Sequence, residues 1–173
     1  MGMSDYGSHF SVLAAVVAQT TGPVLELGVG DYSTPMLHYM CRGRLLVSAD
    51  SDLEWLKRFT AYACPRRHEF QHVTDWAAWP MPESTSWAVA LVDHAPGERR
   101  VEEIKRLKGR CRFIVVHDTE TDYATGANYG YEPVLATFAY RSDFRRYRPY
   151  TTIVSDEAPF PIEECDRAWR PPA

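Results

Sequence analysis

No pair of cysteines in this chain is spaced as a metal or redox motif. Cys41, Cys64, Cys111 and Cys165 stand far apart, with no C-x-x-C among them. That pattern argues against a disulfide frame or a local zinc site, and predicts free thiols in a reducing cytosol. No apolar run approaches the roughly 20 residues that a membrane span requires. Met1 to Phe10 has neither the charged start nor the apolar stretch of a signal peptide, so a cytoplasmic protein without membrane contact is expected. Internal repeats, low-complexity tracts and a dividing linker are lacking too. Nor is there an excess of positive charge: 19 basic against 23 acidic residues leave −4, which argues against a surface built to grip nucleic acid. What the 173 residues do hold is 45% hydrophobic and 13% aromatic side chains, enough for the core of one domain.

The middle of the chain alternates short β-rich runs with helical patterns, which predicts an α/β fold: a doubly wound, Rossmann-like, mostly parallel sheet in a single domain. A leading helix is expected over His9 to Gln19, within an N-terminal segment 1–22. The expected parallel strands are Val24 to Leu27, Leu45 to Ala49, Glu69 to Val73, Ala88 to Val92 and Phe113 to Val116. Helices are expected over Thr34 to Met40, with Ser33 as its cap, over Leu53 to Tyr62, and around Val101, Ile104 and Leu107. Trp76 to Ser86, with two prolines, reads as a loop where a further helix is common. A helix over Pro133 to Tyr140, an antiparallel hairpin over Arg145 to Ser155 and an irregular tail over 156–173 complete the chain.

In an open α/β sheet, ligands bind beyond the carboxyl ends of the strands. Each predicted strand here runs into an acidic residue: Glu26 with Gly28-Val29-Gly30-Asp31-Tyr32-Ser33, then Asp50, Asp75-Trp76, Asp93-His94, and His117-Asp118-Thr119-Glu120. Gly28 and Gly30 allow a tight turn and close backbone approach to a ligand. Asp50 follows Gly30 at the separation that places a carboxylate at the second strand's tip, where it can hold both hydroxyls of a ribose. A nucleoside-bearing cofactor is therefore expected. Ser33 stands where a dinucleotide fold prefers a third glycine, and Asp31 disfavours a diphosphate, so a cationic or zwitterionic ligand suits the turn better.

The run Val-Leu-Glu-Leu-Gly-Val-Gly, with Ser33-Thr34 and Leu37 after it, resembles motif I of class I S-adenosylmethionine-dependent methyltransferases. The resemblance spans roughly Val24 to Val116. It implies that Glu26, Gly28 and Gly30 line the methionine portion and that Asp50 holds the ribose, with Tyr32 and Ser33 as further cofactor contacts. It further implies Asp75 and Trp76 near adenine, and Asp93 and His94 beside the sulfonium and the adenine edge. Tyr32 and the missing helix before the fourth strand depart from the common pattern.

For the reaction, two designs are open. In one, Asp93 and Asp118 chelate a divalent ion such as Mg²⁺; both are similar in place to the metal carboxylates of catechol-type O-methyltransferases. Thr119 stands where that family has Asn, Pro96 or Gly97 falls where it has its catalytic lysine, and Glu120 is a substitute ligand. The metal-free alternative is preferred: His117 or His94 as general base, with Asp118 fixing the ring. His9, His38, His68 and His72 are taken for packing or surface residues. The loop after the fifth strand, with Glu120, Tyr123, Tyr129 and Tyr131, is the expected cover for a small acceptor. Arg141, Arg145, Arg146 and Arg148 read as the solvated face of an edge hairpin. The expected activity is methyl transfer from S-adenosylmethionine to an O or N atom of a small molecule. A cofactor-cleaving or metal-dependent enzyme on the same fold, and a non-catalytic cofactor-binding module, are the alternatives.

Overall fold

The computed structural model describes residues 7–82, 85–121, 129–163 and 165. Seven strands form one sheet in the order β3-β2-β1-β4-β5-β7-β6. The parallel part is β1 (Val24–Leu27), β2 (Leu46–Asp50), β3 (His68–His72), β4 (Trp87–Val92) and β5 (Cys111–His117). The antiparallel hairpin is β6 (Tyr140–Phe144) and β7 (Thr151–Ser155), and β7 lies against β5. β1, β2, β4 and β7 are buried along their whole length, as strands covered on both faces must be.

Alternation along the strands sorts the core into two layers. Val24, Leu46, Val89, Leu91, Phe113, Val115 and Ile153 meet α1 (Phe10–Ala18) and α2 (Ser33–Met40) on one face. Leu25, Leu27, Val47, Ala49, Ala90, Val92, Ile114 and Val116 meet Ile104 and Leu107 of α4 (Arg100–Leu107) and α5 (Glu132–Leu135) on the other. The second face also carries Trp76, Trp79 and Met81 from the expected loop between β3 and β4. Arg106 donates to the carbonyls of Trp76 and Trp79, and Arg110 to that of Pro82. Two tryptophans tied to α4 thus fill the volume that a helix commonly fills. At the far edge, α3 (Leu53–Lys57) is shorter than expected and gives way to a 3-10 turn over Thr60–Tyr62.

The C-terminal third differs from the sequence expectation in register. The helix stops at Leu135, and the hairpin begins at Tyr140 rather than Arg145. Arg141 clamps Glu132 with two bonds of 2.7 and 2.8 Å and reaches Asp143 at 2.9 Å, which draws Tyr140–Phe144 along the edge of β7. Arg145, Arg146 and Arg148 therefore lie in the connection between the strands. Beyond β7, Phe160 packs edge-on against Phe113, and Cys165 is buried beside it in the core, so the described part of the tail covers β5. All four cysteines are free, and no helix among the described residues is long and apolar enough to cross a membrane.

Candidate functional site

At the tip of β1, Gly28 adopts φ +97°, and a Cβ there would lie 2.6 Å from the backbone carbon of Asp93. Only glycine lets the β1 turn sit this close to the end of β4. Gly30 donates its N–H to Thr34 Oγ1 at 2.9 Å, and Thr34 donates in turn to Glu26 Oε1 at 2.9 Å. Ser48 donates to the other Glu26 oxygen. Glu26 is fully buried beneath the turn, and burial raises its pKa to about 7 against the opposing pull of the Ser33, Ser48 and Thr34 hydroxyls. Ser33 is the first residue of α2 rather than its cap; Tyr32, which is exposed, takes the cap position but does not cap the helix with its side chain. Thr34 ties the turn because its Oγ1 reaches both Gly30 and Glu26.

Asp50 closes β2. Its Oδ2 accepts from Val29 N–H at 2.9 Å and its Oδ1 from Asp52 N–H at 2.8 Å. A carboxylate has about four lone-pair sites, so roughly two stay open. Burial raises the Asp50 pKa despite these bonds. At the tip of β3, Asp75 is exposed and folds back on Ala77 N–H, while Trp76 is buried and stacks on His94, ring centroids 3.9 Å apart. His94 Nδ1 faces the Ala95 carbonyl at 3.2 Å, whereas its buried Nε2 has no partner. Burial holds this histidine near pKa 4, so Nε2 keeps a lone pair at neutral pH.

Asp93, Asp118 and His117 come together as expected, with three residues whose roles sequence reasoning missed. Arg100 lies between the two carboxylates, 3.1 Å from Asp93 Oδ1 and 2.8 Å from Asp118 Oδ2. It also donates to the carbonyls of Asp93 and His94 and to the Tyr131 hydroxyl at 3.5 Å. A divalent ion chelated by Asp93 and Asp118 would have to displace this guanidinium, so that pair does not fit a metal. Ser8 lies 2.8 Å from His117 Nε2, and His9 packs edge-on against the His117 ring at 4.6 Å.

The Ser8 hydroxyl fixes the state of His117. Ser8 donates to the Pro149 carbonyl at 2.7 Å, so His117 must donate its Nε2–H to Ser8 Oγ. The opposite nitrogen, Nδ1, then faces only acceptors: Asp93 Oδ1 at 3.1 Å and Asp118 Oδ1 at 3.4 Å. It needs a positive partner, in the simplest case its own proton. Burial opposes that charge, but the carboxylates of Asp93 and Asp118 outweigh it and raise the His117 pKa. Burial likewise pushes Asp93 up, yet His117, His9 and Arg100 bring it down to about 2. A ring with both nitrogens engaged this way has no free lone pair to serve as a base.

Glu120 is 3% exposed, and among the described residues neither carboxylate oxygen has a hydrogen-bond partner. Such a group is costly to leave unpaired. Tyr131 is buried against Arg100, and Tyr129 lies against the Gly97 turn and over Arg100 at 5.2 Å. Both thus brace the Arg100 cluster. Tyr123 lies outside the described residues.

No protein-family model matches the chain, and no curated protein matches it. Solved structures do. A putative O-methyltransferase from Klebsiella pneumoniae is 11% identical, with a TM-score of 0.62 over 90% of this chain and 82% of its own. TomG from Streptomyces achromogenes, an O-methyltransferase of tomaymycin synthesis solved with SAM, is 14% identical over 90% of this chain and 81% of its own, with a TM-score of 0.61. An O-methyltransferase from Bacillus cereus in complex with SAH is 12% identical over 90% and 83%, with a TM-score of 0.57. The chain has the Rossmann-like fold of class I S-adenosylmethionine-dependent methyltransferases.

Proposed function

We propose that the chain works as one S-adenosylmethionine-binding domain that methylates an O or N atom of a small acceptor in a reducing, cytoplasmic setting. The observation that carries this reading is Asp50. It is nearly buried at the tip of β2, held by Val29 N–H of the glycine turn, and keeps roughly two acceptor sites for the hydroxyls of a ribose. His94 Nε2, a buried lone pair beside Trp76, is a second unspent acceptor suited to an exocyclic amine. Gly28 and Gly30 leave backbone access to the ligand, with Glu26 beneath them. The solved neighbours that carry SAM or SAH support the same cofactor.

The cofactor supplies a methyl group already activated by a positive sulfur, so the protein's task is to align the acceptor and exclude water. Glu120 accepts the O–H or N–H of the acceptor, and Tyr129 and Tyr131 form the wall beside it. Asp93, His117 and Asp118, locked by Arg100, keep the tips of β4 and β5 rigid around that position rather than transferring protons. Four free cysteines suit a reducing compartment.

Calorimetric titration with S-adenosylmethionine and S-adenosylhomocysteine tests the reading. Saturable binding to the wild type is expected, with a loss of about 100-fold or more in Asp50→Ala, because two hydroxyl contacts to a charged acceptor are removed at once. Absence of binding to either compound would remove the cofactor; unchanged affinity in Asp50→Ala would remove the ribose placement. Mass analysis of a reacted acceptor should show the gain of one methyl group.

A further inference from the structure

His9 is the least explained residue in the fold. It is 2% exposed at the start of α1, and neither ring nitrogen has a hydrogen-bond partner among the described residues. Leaving such a group unpaired costs about 1–3 kcal/mol. His9 Nδ1 lies 3.9 Å from Asp93 Oδ2, too far for a hydrogen bond.

The same carboxylate faces His117 Nδ1, and donor atoms of His9, Asp93 and His117 lie within 4.8 Å of one another. Three features make this a prepared set. The Pro149–Ser8–His117 relay orients the His117 ring so that Nδ1, not Nε2, points at the carboxylates; metal-ligating histidines are oriented in this way through their second nitrogen. Arg100 engages Asp93 Oδ1, leaving Oδ2 on the side of His9. The spacing is close to that of a tetrahedral ion, whose bonds of about 2.1 Å put ligand atoms about 3.4 Å apart: one donor atom from each residue lies within 4.8 Å of the others, with His117 Nδ1 3.1 Å from Asp93 Oδ1 and His9 Nδ1 3.9 Å from Asp93 Oδ2. A proton on His117 Nδ1 satisfies that ring but leaves both nitrogens of His9 orphaned. An ion engages Nδ1 of both rings.

We propose that His9, Asp93 and His117 form a binding site for a transition-metal ion, best matched to Zn²⁺ by two imidazoles and one carboxylate. Two nitrogen donors disfavour Mg²⁺, which takes oxygen ligands. The ion takes the place of the His117 Nδ1 proton and staples the start of α1 to the tips of β4 and β5. It is distinct from a metal on Asp93 and Asp118, whose shared space Arg100 fills. Methyl transfer does not depend on it.

The test is direct metal binding by the full chain after removal of metals with a chelator. One equivalent of Zn²⁺ is expected by titration, and Co²⁺ as a substitute should give the intense visible bands of a four-coordinate site. His9→Phe keeps the ring volume and should weaken Zn²⁺ by about 100-fold or more, beyond what loss of an outer partner costs. Ser8→Ala, which removes only the orienting partner, should weaken it by about 10-fold. Circular dichroism verifies that each variant folds, and the Co²⁺ spectrum of the wild type stands even if a variant does not. The proposal is overturned if the wild type binds no Zn²⁺ or Co²⁺ stoichiometrically, or if His9→Phe binds Zn²⁺ as well as the wild type. It is also overturned if Mg²⁺ alone binds and is lost in Asp118→Asn. Because the readout is the metal and not turnover, failure here leaves the cofactor reading untouched.

Discussion

Glu26 should make the protein more stable in mild acid than at pH 8, which is the reverse of an ordinary paired carboxylate. Burial raises its pKa from the usual 4.5 to about 7, so the folded state holds this proton more tightly than the unfolded chain. The contribution is full below pH 4.5 and is lost as pH rises through about 7. At 1.36 kcal/mol per pH unit, that gap is worth roughly 3 kcal/mol. The groups facing Glu26 interfere little in this window. His68, which meets Ser48 at 2.9 Å, is held near pKa 4 by burial and is already neutral, while burial raises the Cys41 thiol further. Asp50 only adds to the upward pressure on Glu26. In Glu26→Gln, Thr34 keeps an acceptor, but the amide meets Ser48, whose hydroxyl must turn away at a cost of about 1 kcal/mol. The variant should therefore be slightly weaker than the wild type at pH 5 and about 2 kcal/mol more stable at pH 8. Urea denaturation of both proteins at several pH values between 5 and 8 reads this as a relative midpoint shift of about 1–2 M across the range. Parallel curves for the two proteins would refute the reasoning.

Further outcomes follow from the strand tips. Gly28→Ala forces a Cβ to 2.6 Å from the Asp93 backbone at φ +97°; a loss of about 3 kcal/mol or failure to fold is expected, checked by thermal melts. Arg100→Met strands Asp93 and Asp118 and should cost about 3–5 kcal/mol. Adding Asp118→Asn should restore part of that loss, and strictly additive effects in the double variant would show that the pair is not coupled. Glu120→Gln should lower turnover of an identified acceptor while leaving S-adenosylhomocysteine affinity within a few-fold; a parallel fall in both would place Glu120 with the cofactor instead.

Much of the architecture is legible in local pattern. The apolar runs at Val24, Leu46, Ala88 and Phe113 are strands because buried parallel strands need continuous hydrophobic stretches, and the turn residues after them place the tips. The glycine turn, Asp50 and the tryptophan-bearing loop emerge the same way. The helix expected over Pro133 to Tyr140 did not hold past Leu135. Its apolar spacing continues through Phe138, but the pairing of Tyr140–Phe144 with β7 and the clamp of Arg141 on Glu132 override it. Local propensity loses to a sheet edge that must be covered.

The sequence alone determined the order of elements and which acidic residue ends each strand, because both depend on neighbours a few positions away. Tertiary structure alone decided what those acids touch. Ser8 reaches His117 across 109 positions, Arg100 reaches Asp118 across 18, and His9 meets Asp93 from the far end of the chain. No spacing rule links such residues. Asp93 and Asp118 were in sequence the metal pair of the less favoured design, and a buried guanidinium lies between them. His9 looked like packing, and it is buried, but neither of its nitrogens has a hydrogen-bond partner among the described residues. The physical reason is one of range: hydrophobic periodicity is a local property, whereas the state of a buried charge is set by whichever side chains the fold brings within a few ångströms.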